Sequence, residues 1–78
     1  MQVYKNIDGD SGIVGYKLGD GYIIVKFKQG KHQHYHYRST EIGSANLAIM
    51  HKLALQGDGL NAFINTNPQV KRNYFEKY

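Results

Sequence analysis

The sequence contains no cysteine, no tryptophan and a single proline, Pro68. The lack of cysteine excludes disulfide bonds and thiolate metal sites, and it favours a reducing compartment such as the cytoplasm. No apolar run approaches the roughly 20 residues of a membrane-spanning helix, and residues 1–6 lack a hydrophobic signal segment. We therefore expect a soluble cytoplasmic protein with no membrane partner.

Length and charge restrict the function further. The chain has 78 residues, of which 41% are hydrophobic, so residues 1–78 are expected to form one small globular domain. The formal net charge of +4 favours an anionic partner such as nucleotide phosphate, RNA or an acidic protein, although ordinary solubility charge explains it equally well. Domains with so small a core are often stabilised by oligomerisation, so we expect a homo-oligomer.

The first half of the chain alternates apolar and polar residues, which is typical of strands that are buried on one face. Turns are predicted at Gly19–Gly21 and at Gln29–Gly30, the second as a two-residue hairpin. A weaker fourth strand is predicted over residues 3–7, followed by a turn-rich stretch from Asp8 to Gly12. The three clear strands are predicted over residues 12–18, 22–28 and 31–37.

Beyond Arg38 the apolar spacing becomes helical. Residues 39–43 are predicted to be a linker or a single turn, and Ser44 is a good N-cap for a helix over residues 45–56. That helix is expected to bury its apolar stripe of Ile49, Met50, Leu53 and Ala54.

Glycine and proline set the remaining helix ends. Gly57 suits the left-handed position that ends the first helix, and a short second helix is predicted from Leu60 to Thr66. Pro68 fits the first turn of a last helix, from Gln69 to about Glu76, with Asn67 as its cap. The predicted fold class is α+β: an antiparallel three- to four-stranded meander followed by two or three short helices packed on one face.

The third predicted strand carries two rows of rings. Alternation places Tyr35 and Tyr37 on one face and His32, His34 and His36 on the other. We favour a core position for the two tyrosines over a base-stacking platform. Three interpretations fit the histidines: a metal site, exposed polar positions, or a site that binds phosphate or a base. No carboxylate is near enough in sequence to complete a metal site, so no metal is predicted.

Basic side chains interleaved with aromatic ones form the second candidate feature. Neutralising phosphate and stacking on bases requires this combination, although a solvated charged face is at least as common. Asn61 and Asn65 are further candidates for reading polar edges of a base or sugar. The basic residues are Lys26, Lys28, Lys31, Arg38, Lys71 and Arg72, with Tyr74 beside the last two.

Catalysis is not expected. The sequence has no nucleophile elbow, no phosphate-cradling glycine loop followed by Lys-Ser/Thr, and no Glu-paired histidine motif. We therefore predict a protein that is not an enzyme and has no cofactor. A histidine-based nuclease is a minor alternative, because histidines alone can do general acid–base work on phosphodiesters.

Two short patterns resemble the KTSC domain, a family named for its occurrence at the C-terminus of some lysyl-tRNA synthetases and also found as small free-standing bacterial and mobile-element proteins. One pattern is Tyr35-His36-Tyr37, which resembles the central Tyr-x-Tyr of that domain. The other is the stretch Gly57-Asp-Gly-Leu-Asn-Ala-Phe-Ile-Asn, followed by Val70-Lys71 and Tyr74. The resemblance spans about Gly12 to Tyr74. It implies the order of strands and helices predicted above and a nucleic-acid-binding role, and it implies no catalytic residues.

The function predicted from these features is that of a non-catalytic binding protein for a phosphate-bearing nucleotide. One form of this function is an oligomer that sequesters a small (cyclic) nucleotide signal, as a phage or mobile-element protein would. An RNA-binding module and an interaction module or inhibitor for an acidic partner are the alternatives. The predicted ligand-binding residues are Lys26, Lys28, Lys31, His34, Tyr35, His36, Tyr37, Arg38, Asn61, Asn65, Lys71, Arg72 and Tyr74.

Overall fold

A five-stranded antiparallel meander with helices packed on one face is the architecture of the chain, so the predicted α+β class is confirmed. The computed structural model describes residues 1–7, 9 and 11–78. The sheet order follows the sequence. In chain order the described elements are β1 (Gln2–Val3), β2 (Ile13–Gly19), β3 (Tyr22–Phe27), β4 (His34–Arg38), α1 (Ser39–Ile42), α2 (Ser44–Gln56), α3 (Leu60–Thr66), α4 (Pro68–Lys71) and β5 (Glu76–Lys77).

The core lies between the sheet and the helices. Alternation along β3 places Ile23 and Val25 on the helix side, where both are fully buried. Met50 of α2, Leu60 of α3 and Val70 of α4 meet them there and are also fully buried. Ile42 of α1 is fully buried as well, so every described helix contributes at least one apolar side chain to the core. This burial is the main stabilising contribution for so short a chain.

The opposite side of the sheet is covered by none of the described helices, and we call it the open face. Its side chains stand in three rows that follow the strand register: Gly19–Tyr22–Arg38, Lys17–Ile24–His36–Glu76 and Gly15–Lys26–His34–Tyr78.

Helix α2 begins and ends at glycines. Gly43, with φ +89°, turns the chain between α1 and α2, so Ser44 is the first helical residue and makes no capping hydrogen bond, and the N-cap prediction for Ser44 was wrong. Gly57 ends the helix in the left-handed region with φ +76°, as predicted. The predicted apolar stripe was partly wrong, because Leu47 is buried while Ile49 is 42% exposed.

The chain before β2 was predicted as a strand, and only its first part is one. Tyr4 leaves the sheet, enters the core and accepts a hydrogen bond from the Leu60 N–H at 3.3 Å. The Ile7 N–H then donates to the Gly57 carbonyl at 2.9 Å. This segment therefore fastens the corner between α2 and α3 instead of extending the sheet. The turn predicted after it includes Asp8 and Asp10, which lie outside the described residues.

Two further predictions from sequence were wrong. The β3–β4 connection is a six-residue loop, Lys28–Gln33, because a two-residue type I′ hairpin needs positive φ at both central residues and only Gly30 has it there. The last predicted helix ends at Lys71, and the chain then returns to pair as β5 against β4. Asn67 precedes that helix as predicted, but its side-chain amide donates to Asn46 instead of capping the helix.

No helix in the described part of the chain is long and apolar enough to cross a membrane.

We expect Gly57→Ala to be strongly destabilising. An added Cβ would overlap the Lys5 Cβ and lie 3.1 Å from its Cγ, and the left-handed φ strains any L side chain. Strain and overpacking together predict a loss of about 2–4 kcal/mol in the free energy of unfolding, measured by urea denaturation.

The matched control for this change is Gly59→Ala. Gly59 has a similar φ of +83°, but its added Cβ would meet only Leu53 Cδ2 at an ordinary 3.6 Å. The control should therefore lose only the strain, about 1–2 kcal/mol. Equal losses for the two variants would contradict the close approach of Lys5 to Gly57.

Candidate functional site

A cavity of about 490 Å³ opens on the helix side of the sheet, between β4, β5, α3 and the loop Lys28–Gln33. Its size falls within the range of small-molecule sites. Aromatic rings and cationic side chains dominate its lining. The lining residues are Phe27, Gln29, Gly30, Lys31, His32, Tyr35, Tyr37, Ile64, Asn65, Lys71, Tyr74 and Lys77.

Tyr35 stands at the centre of the aromatic wall. Its ring packs edge-on against Phe27 at 5.2 Å and against Tyr74 at 5.1 Å between centroids. Tyr37, the next residue on the same face of β4, lies 6.4 Å from Tyr35 with nearly parallel rings. Mutual packing holds the rings in place, so the cavity has an ordered aromatic wall, and a planar ligand stacks on the face of one ring at a time because neighbouring rings meet nearly at right angles.

Three lysines surround this wall, and none of the described residues that line the cavity carries a carboxylate. Lys31 comes from the loop, Lys71 from the end of α4 and Lys77 from β5. The Lys77 Nζ lies 5.5 Å from the Tyr74 ring centroid and 6.0 Å from that of Tyr35, within cation–π distance. The cavity therefore combines unpaired positive charge with an aromatic surface.

Tyr37 forms the floor of the cavity and belongs to the core, with 1% of its surface exposed. Burial raises the pKa of its hydroxyl well above the ordinary value, and the hydroxyls of Tyr35 and Tyr74 raise it further. The group therefore remains a neutral phenol at physiological pH. The core position that alternation favoured for the tyrosine pair is confirmed for Tyr37, whereas Tyr35 is only partly buried.

The predicted ligand-binding residues separate into three groups. Lys31, Tyr35, Tyr37, Asn65, Lys71 and Tyr74 line the cavity. Lys26, His34, His36 and Arg38 lie on the open face, on the other side of the sheet. The rest lie elsewhere: Lys28 and Arg72 are exposed, and Asn61 borders a separate cavity of about 300 Å³, although it accepts a hydrogen bond from Asn65.

On the open face the rings of His34 and His36 are covered by the last residues of the chain. His34 stacks on Tyr78 at 4.9 Å with an interplanar angle of 6°. His36 lies edge-on between Tyr22 at 5.1 Å and Phe75 at 5.4 Å, and its Nδ1 is 3.6 Å from the Glu76 carboxylate. Its Nε2 is buried without a hydrogen-bond partner among the described residues. His32 precedes β4 and faces the helix-side cavity, so the predicted row of three histidines was wrong.

Arg38 is held by a carboxylate. Its Nε and Nη2 donate to the two oxygens of Glu41 at 2.7 and 2.6 Å, and its guanidinium carbon lies 3.5 Å from the Phe75 ring centroid. Hydrogen bonds from Arg38 and then Thr40 hold the pKa of Glu41 at about 2, below its ordinary 4.5. Because that pKa is lowered on folding, the pair stabilises the fold above pH 4.5 and loses this contribution as the pH falls towards 2.

Six residues that line the cavity were not among the predicted ligand-binding residues: Phe27, Gln29, Gly30, His32, Ile64 and Lys77. Alternation over residues 22–28 puts Phe27 on the same face as Ile23 and Val25, but nothing local links it to Tyr35. Lys77 was missed because β5 lies where a helix was predicted, and only strand pairing brings it opposite Tyr35. Among the described residues, no group of three or more His, Cys, Asp or Glu side chains is placed to hold a metal ion.

Comparison with known proteins adds nothing to this geometry. No protein-family model matches the chain, and no curated protein or solved structure matches it either.

Proposed function

We propose that the chain is a non-catalytic binding protein for a phosphate-bearing nucleotide, held in the helix-side cavity. The observation that carries this proposal is the meeting of Lys31, Lys71 and Lys77 around an aromatic wall with no lining carboxylate among the described residues. Ammonium groups without a partner attract phosphate, and a rigid ring surface accepts the base. The resemblance of Tyr35-His36-Tyr37 to the KTSC domain favours the same kind of ligand.

The lining assigns a role to each part of the ligand. The base stacks on Tyr35 and meets Tyr74 edge-on, because these two rings stand at 84° to each other, while the phosphates lie towards Lys31 and Lys71. Asn65 stands at the rim, where its amide reaches a polar edge of the base or sugar. We assign no catalytic step to the cavity, where no described carboxylate stands beside His32 to orient it as a general base.

Sequestration of a small nucleotide, cyclic or linear, is the form of the function that fits this cavity. A free-standing phage or mobile-element protein in the cytoplasm would use it to remove a host signal. A single small domain encloses a ligand incompletely, so a second copy closing over the cavity would raise the affinity.

Native mass spectrometry of the protein freshly purified from cells tests the proposal. An assembly that carries a bound nucleotide mass at fixed stoichiometry is the expected result, and fragmentation identifies the ligand. A ligand-free protein that also fails to bind the fluorescent nucleotide mant-ATP would contradict the proposal. Such a result would favour an interaction module for an acidic protein, which predicts no nucleotide affinity.

A further inference from the structure

We propose that the open face is a second, separate site, which binds an unpaired polynucleotide strand. The helix-side cavity does not contribute to it, because the two sites lie on opposite sides of the sheet. Two observations support the proposal: the exposed rings and the sign of the charge.

Two rings offer free surface for stacking. Phe75 is 46% exposed and Tyr78 is 51% exposed, although each is already packed on one side, against Arg38 and His34 respectively. His34 and His36 are two residues apart on β4, so the two ring clusters lie roughly 7 Å from each other. Rings presented side by side on an open sheet are the arrangement on which successive unstacked bases pack.

The charge of the open face complements a polyanion. Lys17 and Lys26 lie in its second and third rows, and no described carboxylate forms an ion pair with either of them. Among the described residues, the carboxylates at this face are Glu41, which is bound by Arg38, and Glu76, which is 54% exposed and lies 3.6 Å from the His36 Nδ1. A second copy of the chain is a poorer occupant, because a symmetric contact would bring the lysine-bearing rows of two cationic proteins together.

Two glycines of β2 are covered by neighbouring side chains on this face. Gly19 lies directly beneath the Tyr22 ring, which an added Cβ would overlap, and Gly15 lies beneath the Met1 side chain, whose Sδ would be 3.2 Å from an added Cβ. Lys17 lies between these two positions on the same face of β2 and is exposed. A strand of nucleotides can lie across the sheet with its bases on Phe75 and Tyr78 and its phosphates near Lys17 and Lys26.

Fluorescence anisotropy with a labelled oligouridylate of about twelve nucleotides tests this site. Lys26→Gln should weaken binding roughly tenfold at low salt and reduce the slope of log affinity against log salt by about one. Lys52→Gln removes the same charge from the exposed side of α2 and is the matched control, expected to stay within about twofold. Tyr78→Leu keeps an apolar contact with His34 and should weaken binding roughly tenfold without changing the salt slope.

Lys71→Gln, in the cavity, should leave oligouridylate binding unchanged, which separates this site from the proposed nucleotide site. The inference fails if a duplex of equal length binds as tightly as the single strand, or if Lys26→Gln and Lys52→Gln have equal effects. It also fails if Tyr78→Leu leaves affinity intact, or if light scattering shows a dimer that Tyr78→Leu dissociates, since a second copy would then occupy the face.

Discussion

Tyr37→Ala is expected to lower the free energy of unfolding by about 3–5 kcal/mol. The ring is 1% exposed and is one of the largest fully buried side chains, so its removal leaves a void between β4 and the helices. Domains of this size have a total stability of roughly 4–12 kcal/mol, so this change removes about a quarter of it or more. Urea denaturation followed by circular dichroism measures the loss.

Tyr37→Phe is the control for this change. It keeps the ring and removes only the hydroxyl, so it should change the unfolding free energy by no more than about 1.5 kcal/mol. If the alanine variant were as stable as the wild type and lost only ligand affinity, Tyr37 would be a binding residue and not a core residue.

Charge reversal in the cavity, Lys31→Glu with Lys71→Glu, is expected to abolish nucleotide binding. Charge-assisted hydrogen bonds are each worth about 1.5–3 kcal/mol, so losing two should weaken mant-ATP binding by more than about a hundredfold. Because both side chains are exposed, the fold should remain intact. The measurement is a fluorescence titration at constant salt, with the melting temperature recorded alongside.

The matched control is Lys52→Glu with Arg72→Glu. It makes the same change in net charge at two exposed positions that do not line the cavity. Affinity should fall only by the general effect of charge, a factor of a few. If both double variants weaken binding equally, overall charge is responsible and the cavity is not the site.

The strand pattern made much of this fold predictable. Period-two alternation correctly placed Tyr35 and Tyr37 on the buried side and His34 and His36 on the other, because side-chain direction in a strand is a local property. The helix from Leu60 to Thr66 was predicted with its observed bounds, since glycine and Asn67 punctuate it.

The return of the chain as β5 was not predictable from local pattern. Residues 72–78 have the polar and aromatic composition of either a helix end or an edge strand, and only pairing with β4 decides between them. That pairing carries Tyr74 and Lys77 to the cavity and Phe75 and Tyr78 to the open face. The predicted binding residues therefore formed one set in sequence, and the sheet divides them between two surfaces.

The two edges of the sheet have a consequence for assembly. Both outer strands, Gln2–Val3 and Glu76–Lys77, are two residues long, and their residues are exposed. Strands this short offer few free N–H and C=O groups to template pairing with another chain, which protects against edge-to-edge aggregation. Continuous sheets across subunits are disfavoured for the same reason, so any assembly of this protein would have to form through the side chains of its faces or helices.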